Sequence, residues 1–224
     1  MSVLLVSQRI DEYPDRGERR DALDQALVQF ISVAGYVAIP VPNSLVEADG
    51  LTVRPGRLPT DEILLKRNKT AKLLQFINSQ NVSGIVLSGG NDIGTCSDRD
   101  ITELVLLRFA MKHRLPVLGI CRGMQMLGVF GGVELESVQG HIRTRHNLKG
   151  QFNHNVNSFH GLSLSKCPEG YLVIARSEDN QIEAMRSEKM AWEGWMWHPE
   201  REEIFNTIDI QSFRQVFKQT DELI

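Results

Sequence analysis

The sequence predicts one α/β domain, spanning residues 1–224, in which helices flank both faces of a mostly parallel β-sheet. Short apolar runs alternate with segments of helical periodicity through residue 130, which is the pattern of parallel strands joined by helices. Beyond that point the apolar runs become shorter, which predicts small antiparallel additions in the C-terminal half. A chain of 224 residues suits a single domain of this kind.

Strands and helices alternate through the first part of the chain. Four apolar runs predict buried strands, at residues 3–6, 37–41, 84–88 and 115–120. Apolar residues at helical spacing predict helices around Leu27, Leu74 and Leu107, and over residues 122–130. Gly35 ends the first of these helices. Residues 43–68 contain two prolines and two glycines, which predicts an irregular segment.

The last third of the chain has a different pattern. Three short pieces predict antiparallel strands at the sheet edge: LVIARS, QIEAMR and KMAWEGWMW. Ile210, Phe213 and Phe217 then predict a final helix.

Composition excludes several classes of function. A net charge of −3 argues against coating nucleic acid, and no apolar run approaches the length of a membrane span. The three cysteines are widely spaced, which fits neither a disulfide framework nor a zinc motif. We therefore expect a cytoplasmic protein with no cofactor and with thiols that stay reduced.

A cysteine stands between two glycines where a predicted strand meets a predicted helix. The segment is LPVLGICRGMQMLG, with Gly119, Cys121 and Gly123 at the junction. This is the sharp turn that presents a nucleophile, with cysteine in place of serine, and it leaves no room for side chains at the flanking positions. The helix N-terminus favours the thiolate. A buried structural cysteine is the alternative, which the two glycines and Gln125 make less favourable.

A histidine with a nearby acid follows in the segment Trp197-His198-Pro199-Glu200. An imidazole can take the proton of a thiol and return it to a leaving amine. Glu200 can hold the other imidazole nitrogen if the chain is extended there. A surface histidine beside an acid is the alternative, since this short motif is weak without the cysteine turn. Together they predict a Cys121–His198–Glu200 triad.

These residues resemble the class I glutamine amidotransferase family over nearly the whole chain. The nucleophile motif G-x-C-x-G-x-Q is met by residues 119–125, and the His-Pro-Glu motif by residues 198–200. The resemblance implies a flavodoxin-like sheet with the active site at the carboxyl ends of its strands. It also implies an oxyanion hole formed by the backbone N–H groups of Gly89, Gly90 and Arg122. Gln125 is implied to bind the glutamyl head group.

A narrower resemblance is to the γ-glutamyl-γ-aminobutyrate hydrolase branch of this family. Its G-G-x-D loop is met by Gly89-Gly90-Asn91-Asp92, so Asn91 and Asp92 become candidate substrate contacts. Gly94-Thr95-Cys96 stands where that branch has proline and tyrosine. The stretches NDIG, CRGMQML, GHIRTRH, VNSFH and MWHPERE are similar to the γ-glutamyl-CDP-amidate hydrolases of bacterial surface-polysaccharide biosynthesis.

Residues 137–168 form a basic stretch that contains no Asp or Glu and holds four of the six histidines. Such a field favours a phosphate-bearing substrate, and Arg143 and His146 are candidate contacts for its anionic end. By resemblance, Ser158 and His160 lie near the acyl pocket. A solvated loop with a structural His160 is an equally good interpretation. The spacing of the histidines matches no standard metal motif, so we expect no metal.

The predicted activity is hydrolysis of a γ-glutamyl amide through a γ-glutamyl thioester on Cys121. The expected partner is a small γ-glutamyl substrate, nucleotide-linked by resemblance, and neither nucleic acid nor membrane. A γ-glutamyl-γ-aminobutyrate-type hydrolase is one alternative, and a glutaminase subunit that supplies ammonia to a partner synthase is another. A non-catalytic module on the same fold is a third, which the intact triad argues against.

Overall fold

The computed structural model describes residues 2–65 and 70–218, and its main feature is an eight-stranded mixed sheet. The first half of the chain forms β1 (Val3–Ser7), β2 (Arg9–Tyr13), β3 (Glu18–Ala22), α1 (Gln25–Val33), β4 (Val37–Val41), α2 (Asp61–Leu65), α3 (Ala71–Ser79), β5 (Val82–Leu87) and α4 (Ser97–His113). It continues with β6 (Val117–Ile120), α5 (Arg122–Phe130), β7 (Leu135–Ser137), β8 (Ile142–Asn147), β9 (Lys149–Gly150) and β10 (Asn155–Phe159). The last elements are β11 (Leu162–Leu164), β12 (Tyr171–Arg176), β13 (Ile182–Ser187), β14 (Trp192–Trp195) and α6 (Thr207–Lys218).

The strand order of the sheet is β4-β1-β5-β6-β14-β13-β12-β9. The first five strands in this order are parallel, and their order along the chain is the 2-1-3-4-5 arrangement of flavodoxin-like folds. β13, β12 and β9 extend the sheet with antiparallel pairings. The predicted fold class is therefore confirmed, including its antiparallel additions.

Helices cover both faces of the sheet because neighbouring strand residues point to opposite sides. On β1, Leu4 packs in a core with Leu27 of α1 and Phe213 of α6. Leu5, the next residue, packs in a second core with residues of α3, α4 and α5. The predicted helices in these regions are confirmed by α1, α3, α4, α5 and α6.

The placement of one predicted strand was wrong. The segment KMAWEGWMW was expected to extend the sheet edge with an antiparallel strand, but β14 lies inside the sheet. It pairs in parallel with β6 and antiparallel with β13. All four of its residues are buried, as expected of a strand with a helix or loop on each face. β12, β13 and β14 follow one another closely along the chain and pair in an antiparallel way, so nothing in the sequence indicated that β14 also pairs in parallel with β6.

A second difference is the hairpin of β2 and β3, which the sequence did not reveal. Its strands, RIDEY and ERRDA, are mostly polar, so they lack the repeated alternation that predicts a half-buried strand. The hairpin begins two residues after β1 ends and therefore stands at the carboxyl edge of the parallel strands.

The predicted irregular segment at 43–68 is largely confirmed over residues 43–65, where a 3-10 turn and α2 are the regular elements. Residues 66–68 of that prediction lie outside the described part of the chain. Among the described residues, no helix combines the length and the apolar composition that crossing a membrane requires.

Candidate active site

Cys121 lies at the junction of β6 and α5, at the carboxyl edge of the parallel strands. Its φ is 51° and its ψ is −107°, a conformation that residues other than glycine rarely adopt. Its N–H donates to the carbonyl oxygen of Trp195 at the end of β14, 2.7 Å away. The side chain therefore sits at the first turn of α5, where the helix dipole favours a negative charge.

The two flanking glycines are required by close backbone contacts. A Cβ at Gly119 would lie 2.5 Å from the carbonyl carbon and oxygen of Gly123. A Cβ at Gly123 would lie 2.2 Å from the carbonyl oxygen of Leu87, at the end of β5. These are backbone atoms that cannot swing aside, so the turn closes only with glycine at both positions. This is the steric reason inferred from the sequence.

His198 follows β14, the strand beside β6, and its Nδ1 lies 2.6 Å from Oε1 of Glu200. Both side chains are buried. The expectation of an extended chain was incorrect, because Pro199–Arg201 forms a 3-10 turn that brings the Glu200 carboxylate back to the imidazole. Pro199 fits the first position of that turn, where its ring fixes φ.

The environment of His198 favours its protonated form. Burial lowers the pKa of the His198 imidazole. The charge of Glu200, followed by the charge of Cys121 and a hydrogen bond with it, outweighs burial and raises the pKa to about 9. The structure thus brings together the three side chains that the sequence predicted as a triad. An imidazolium held between a thiol and a carboxylate can stabilise a thiolate and donate a proton to a leaving group.

Asn157, on β10, holds the backbone of His198 from both sides. Its Nδ2 donates to the carbonyl oxygen of His198 at 2.8 Å, and its Oδ1 accepts from the His198 N–H at 3.0 Å. The amide is buried and also donates to Glu202. Sequence reasoning missed this role because a side-chain amide that substitutes for a strand neighbour has no sequence signature.

The loop after β5 carries Gly89 and Gly90 and is held from below by Arg99 of α4. Nη2 of Arg99 donates to the carbonyl oxygens of Ser88, at 2.7 Å, and of Gly89, at 2.9 Å. The carbonyl and N–H of a trans peptide point in opposite directions, so the N–H groups of Gly89 and Gly90 are directed away from Arg99. A Cβ at Gly89 would lie 2.5 Å from Cε1 of His198.

Arg99 belongs to a buried network of two arginines and two carboxylates. Its Nε donates to Glu103 at 3.1 Å, and Arg122 donates to both Glu103 and Asp100. Burial, and then the charge of Arg122, lower the pKa of Arg99 to about 10. The formal charges cancel within the group, as buried ions require. The network joins the N-terminal half of α4 to the first turn of α5, and the Arg122 Nε also donates to the carbonyl of Asn91 at 2.7 Å.

Three predicted substrate contacts lie on this loop or on α5. Nε2 of Gln125 donates to the carbonyl of Leu162 at 3.0 Å, while its buried Oε1 has no hydrogen bond within the described residues. Asn91 exchanges two hydrogen bonds with the backbone of Ile10 in β2, which ties the loop to the hairpin. Asp92 is exposed. Asn91 therefore has a bracing contact in the structure, and its contact with substrate stays a prediction.

The predicted contacts in the basic stretch divide between the interior and the surface. Ser158 is buried and donates to the carbonyl of His141 at 2.7 Å. His146 and His160 both face the buried carboxylate of Glu183, at 3.3 and 3.5 Å. Arg143 is exposed on β8, at a φ of 54°. Recognition of substrate by these four residues stays a prediction.

A cleft of about 240 Å³ opens beside the candidate triad. Gly89, Gly90 and His198 line it together with two arginines, Arg9 and Arg201. Their side chains are 49% and 35% exposed, and each has a carboxylate neighbour. The sequence did not reveal Arg9, because its position next to Gly90 depends on the hairpin that the sequence also concealed.

Comparison with protein families gives a match between residues 58–206 and the family model described as glutamine amidotransferase class-I. The γ-glutamyl-CDP-amidate hydrolase of Campylobacter jejuni is 31% identical over 135 residues, which cover 58% of this chain and 68% of that protein. One subunit of the glutamine-hydrolysing GMP synthase of Methanocaldococcus jannaschii is 28% identical over 141 residues, covering 58% of this chain and 71% of that protein.

Solved structures share the whole architecture. A GMP synthase subunit from Thermoplasma acidophilum, so described, aligns with a TM-score of 0.65 at 15% identity, covering 100% of this chain and 97% of that chain. A glutamine amidotransferase from Thermotoga maritima aligns with a TM-score of 0.58 at 14% identity, covering 99% and 86%. At these identities the likeness establishes the fold alone.

Proposed function

The chain belongs to the class I glutamine amidotransferase family, and from this premise we propose that it is a cysteine hydrolase that releases glutamate from a γ-glutamyl amide. One arrangement carries the proposal: Cys121 stands on a strained turn beside the strand that leads to His198, whose imidazole Glu200 holds in place. A buried structural cysteine needs neither the strained backbone nor the charged partner.

The first half of the reaction forms a thioester. The Cys121 thiolate attacks the γ-carbonyl carbon, and the C–N bond breaks as the His198 imidazolium gives its proton to the departing nitrogen. In the second half, the neutral imidazole takes a proton from water, which attacks the thioester carbonyl; the C–S bond breaks, glutamate leaves and the Cys121 thiolate is restored. Glu200 stabilises the imidazolium that is present before the first half and forms again in the second.

The developing oxyanion needs N–H donors that have no other acceptor. Arg122 is the first residue of α5, so its N–H has no carbonyl within the helix to bind. The N–H groups of Gly89 and Gly90 face away from Arg99 and complete the proposed oxyanion hole. Removing one such donor typically costs about 3 kcal/mol of transition-state stabilisation. The unpaired Oε1 of Gln125 is suited to accept a hydrogen bond from the glutamyl head group.

For the leaving group we propose a nucleotide-linked phosphoramidate, such as γ-glutamyl-CDP-amidate, in surface-polysaccharide biosynthesis. The C. jejuni relative with that activity supports it. Arg9 and Arg201 support it too, because guanidinium groups beside the reacting centre can exchange carboxylate neighbours for phosphate oxygens. The three cysteines are unpaired, and a reducing compartment such as the cytoplasm keeps Cys121 available as a thiolate.

The archaeal GMP synthase relative favours a second candidate, a glutaminase that supplies ammonia to a partner synthase. The two functions share the thioester and differ in the leaving group. A free-standing hydrolase turns over a large γ-glutamyl amide by itself, whereas a glutaminase that serves a synthase hydrolyses glutamine and is activated by its partner.

The deciding experiment measures glutamate released by the purified chain from glutamine, γ-glutamyl-aminobutyrate and γ-glutamyl-CDP-amidate. We expect the largest kcat/KM for the nucleotide substrate. Cys121→Ala should be folded and inactive, and should give no thioester adduct in intact-mass spectra, while the matched variant Cys167→Ala retains activity. An active Cys121→Ala chain would exclude the mechanism, and equal rates on all three substrates would exclude the nucleotide proposal.

Substitution of Arg9 tests whether the cleft binds the phosphate groups of the proposed leaving group. Arg9→Gln should raise KM for the nucleotide substrate and leave KM for γ-glutamyl-aminobutyrate unchanged. Arg20→Gln is the matched control, since Arg20 is exposed on the same hairpin and pairs with Glu18. An equal effect of Arg9→Gln on both substrates would assign Arg9 to support of the loop.

A further inference from the structure

Three histidines from two strand regions converge on one buried carboxylate. His141 precedes β8, His146 lies on it, His160 follows β10, and Glu183 is on β13. Oε1 of Glu183 lies 3.4 Å from Nδ1 of His141, 3.3 Å from Nε2 of His146 and 3.5 Å from Nε2 of His160. Nδ1 of His141 and Nε2 of His160 are 3.1 Å apart. Glu183 is fully buried and the histidine side chains are at most 10% exposed.

These separations are similar to four of the six edges of a metal coordination tetrahedron. Ligand atoms at about 2.0–2.1 Å from Zn²⁺ in tetrahedral geometry lie roughly 3.3 Å from each other. The four distances measured here fall between 3.1 and 3.5 Å. The ligand atoms of His141, His146 and Glu183 also all lie within 4.8 Å of one another.

The outer nitrogens of two histidines fix which inner nitrogens carry lone pairs. Nε2 of His141 lies 2.9 Å from a carboxylate oxygen of Asp179, and Nδ1 of His160 lies 3.0 Å from the carbonyl oxygen of Leu162. Both outer nitrogens must donate to these acceptors, so in neutral rings the inner nitrogens have no proton. Two lone pairs then face each other at 3.1 Å, an arrangement that a shared cation makes favourable.

The Glu183 carboxylate needs a positively charged partner. Within the described residues, neither oxygen of Glu183 has a hydrogen bond of regular geometry, and Nε2 of His146 has none either. A buried carboxylate without a hydrogen-bond partner is costly unless a cation neutralises it. Imidazole and carboxylate together are ligands that Zn²⁺ prefers.

We propose that His141, His146, His160 and Glu183 form a structural site for a divalent transition metal, with Zn²⁺ the best fit. Four protein ligands would fill a tetrahedral shell, and their side chains are at most 10% exposed, which favours a closed structural site. It joins the β8–β10 hairpin to β13 in the main sheet. The hairpin carries Asn157, whose amide binds the backbone of His198. The metal would therefore stabilise the position of His198, the candidate base, without contacting substrate. The spacing of the ligands along the chain concealed the site, since they come from three separate segments.

The test measures metal content in protein purified without a histidine tag. We expect about one Zn²⁺ per chain by mass spectrometry, a rise in Tm when Zn²⁺ is returned to the chelated protein, and the intense visible absorption of tetrahedral Co²⁺ on substitution. His146→Gln and His160→Gln should lose all three signals. His113→Gln is the matched control, an exposed histidine on α4 that should keep them.

Two outcomes overturn the proposal. One is a parent chain that takes up neither Zn²⁺ nor Co²⁺ saturably and whose Tm does not respond, which would assign the cluster to a carboxylate paired with a protonated histidine. The other is a His146→Gln or His160→Gln chain that binds as the parent does. The Co²⁺ spectrum of the parent decides on its own if the variants do not fold.

Discussion

Nη2 of Arg99 donates a 2.9 Å hydrogen bond to the carbonyl oxygen of Gly89, a residue that also lies against the His198 imidazole. The same nitrogen binds the carbonyl of Ser88, so one buried guanidinium fixes the rotation of two successive peptide groups. In the proposed mechanism, those rotations set the direction of the oxyanion donors. Arg99 thus acts as a positioning residue, since it is fully buried and reaches the reaction only through the loop.

Arg99→Lys should lower kcat by up to about 10²-fold and change KM little. An ammonium group can retain the ion pair with Glu103 but cannot reproduce the fork that spans two carbonyls. Steady-state kinetics and the rate of thioester formation check this expectation. Arg108→Lys is the control, on the same helix and bound to Asp61 and the carbonyl of Pro59. A change in KM alone would contradict the positioning role.

Gly89→Ala should fold normally and lose up to about 10²-fold in kcat. The new Cβ would lie 2.5 Å from Cε1 of His198, so either the imidazole or the loop must move from its present position. Circular dichroism and kinetics together separate this effect from unfolding. Gly161→Ala is the control, because a Cβ there meets only the end of the Ile142 side chain, at 3.4 Å. Unchanged kinetics for Gly89→Ala would show that the imidazole contact is not used.

Asn157→Ala should destabilise the fold and slow turnover together. It leaves the buried N–H of His198 without a partner, at a cost of about 1–3 kcal/mol, while the C=O of His198 keeps its bond from the Arg201 N–H. Urea denaturation and kcat measure the two effects. Asn155→Ala, on the exposed end of the same strand, should change neither by much. Full activity in a destabilised Asn157→Ala chain would separate the amide from placement of the base.

Stability should depend on pH through His198. Its pKa is raised in the folded chain, to about 9 from an unfolded value of about 6.5, so the stabilisation is fully present below about pH 6.5. It declines as the pH rises and is lost above about 9. Denaturation of the parent chain and of His198→Asn measures this effect, with Cys121 kept because its charge contributes to the raised pKa. We expect the stability difference between the two chains to shrink from pH 6 to 9. A difference that grows over this range would contradict a raised pKa.

The sequence predicted the triad and the parallel sheet because both depend on local patterns. The glycines around Cys121 are needed for contacts within one turn, and the buried strands show as apolar runs. The parallel pairing of β14 with β6 joins segments far apart in the chain and leaves no periodicity of its own. It therefore could not be predicted, although it places His198 beside Cys121.

Residues that support the site through polar contacts were harder to predict. Arg99 and Glu103 are charged residues on a helix, and such residues usually face solvent. Only the folded structure shows that these two are buried beneath the loop. The contacts of Asn157 with His198 and of Arg9 with Gly90 also join segments that are far apart in the chain. Each is an ordinary polar residue whose role depends on what the fold places opposite it.

Cys121 and His198 follow adjacent strands that are bonded to each other along their length, down to the 2.7 Å bond between the Cys121 N–H and the Trp195 carbonyl. The distance between the two residues is therefore set by the hydrogen bonds between β6 and β14, and motion of surface loops should change it little. Heating should consequently leave the pair aligned until the ladder itself melts. Thermal inactivation and loss of β-structure are expected to follow a single curve.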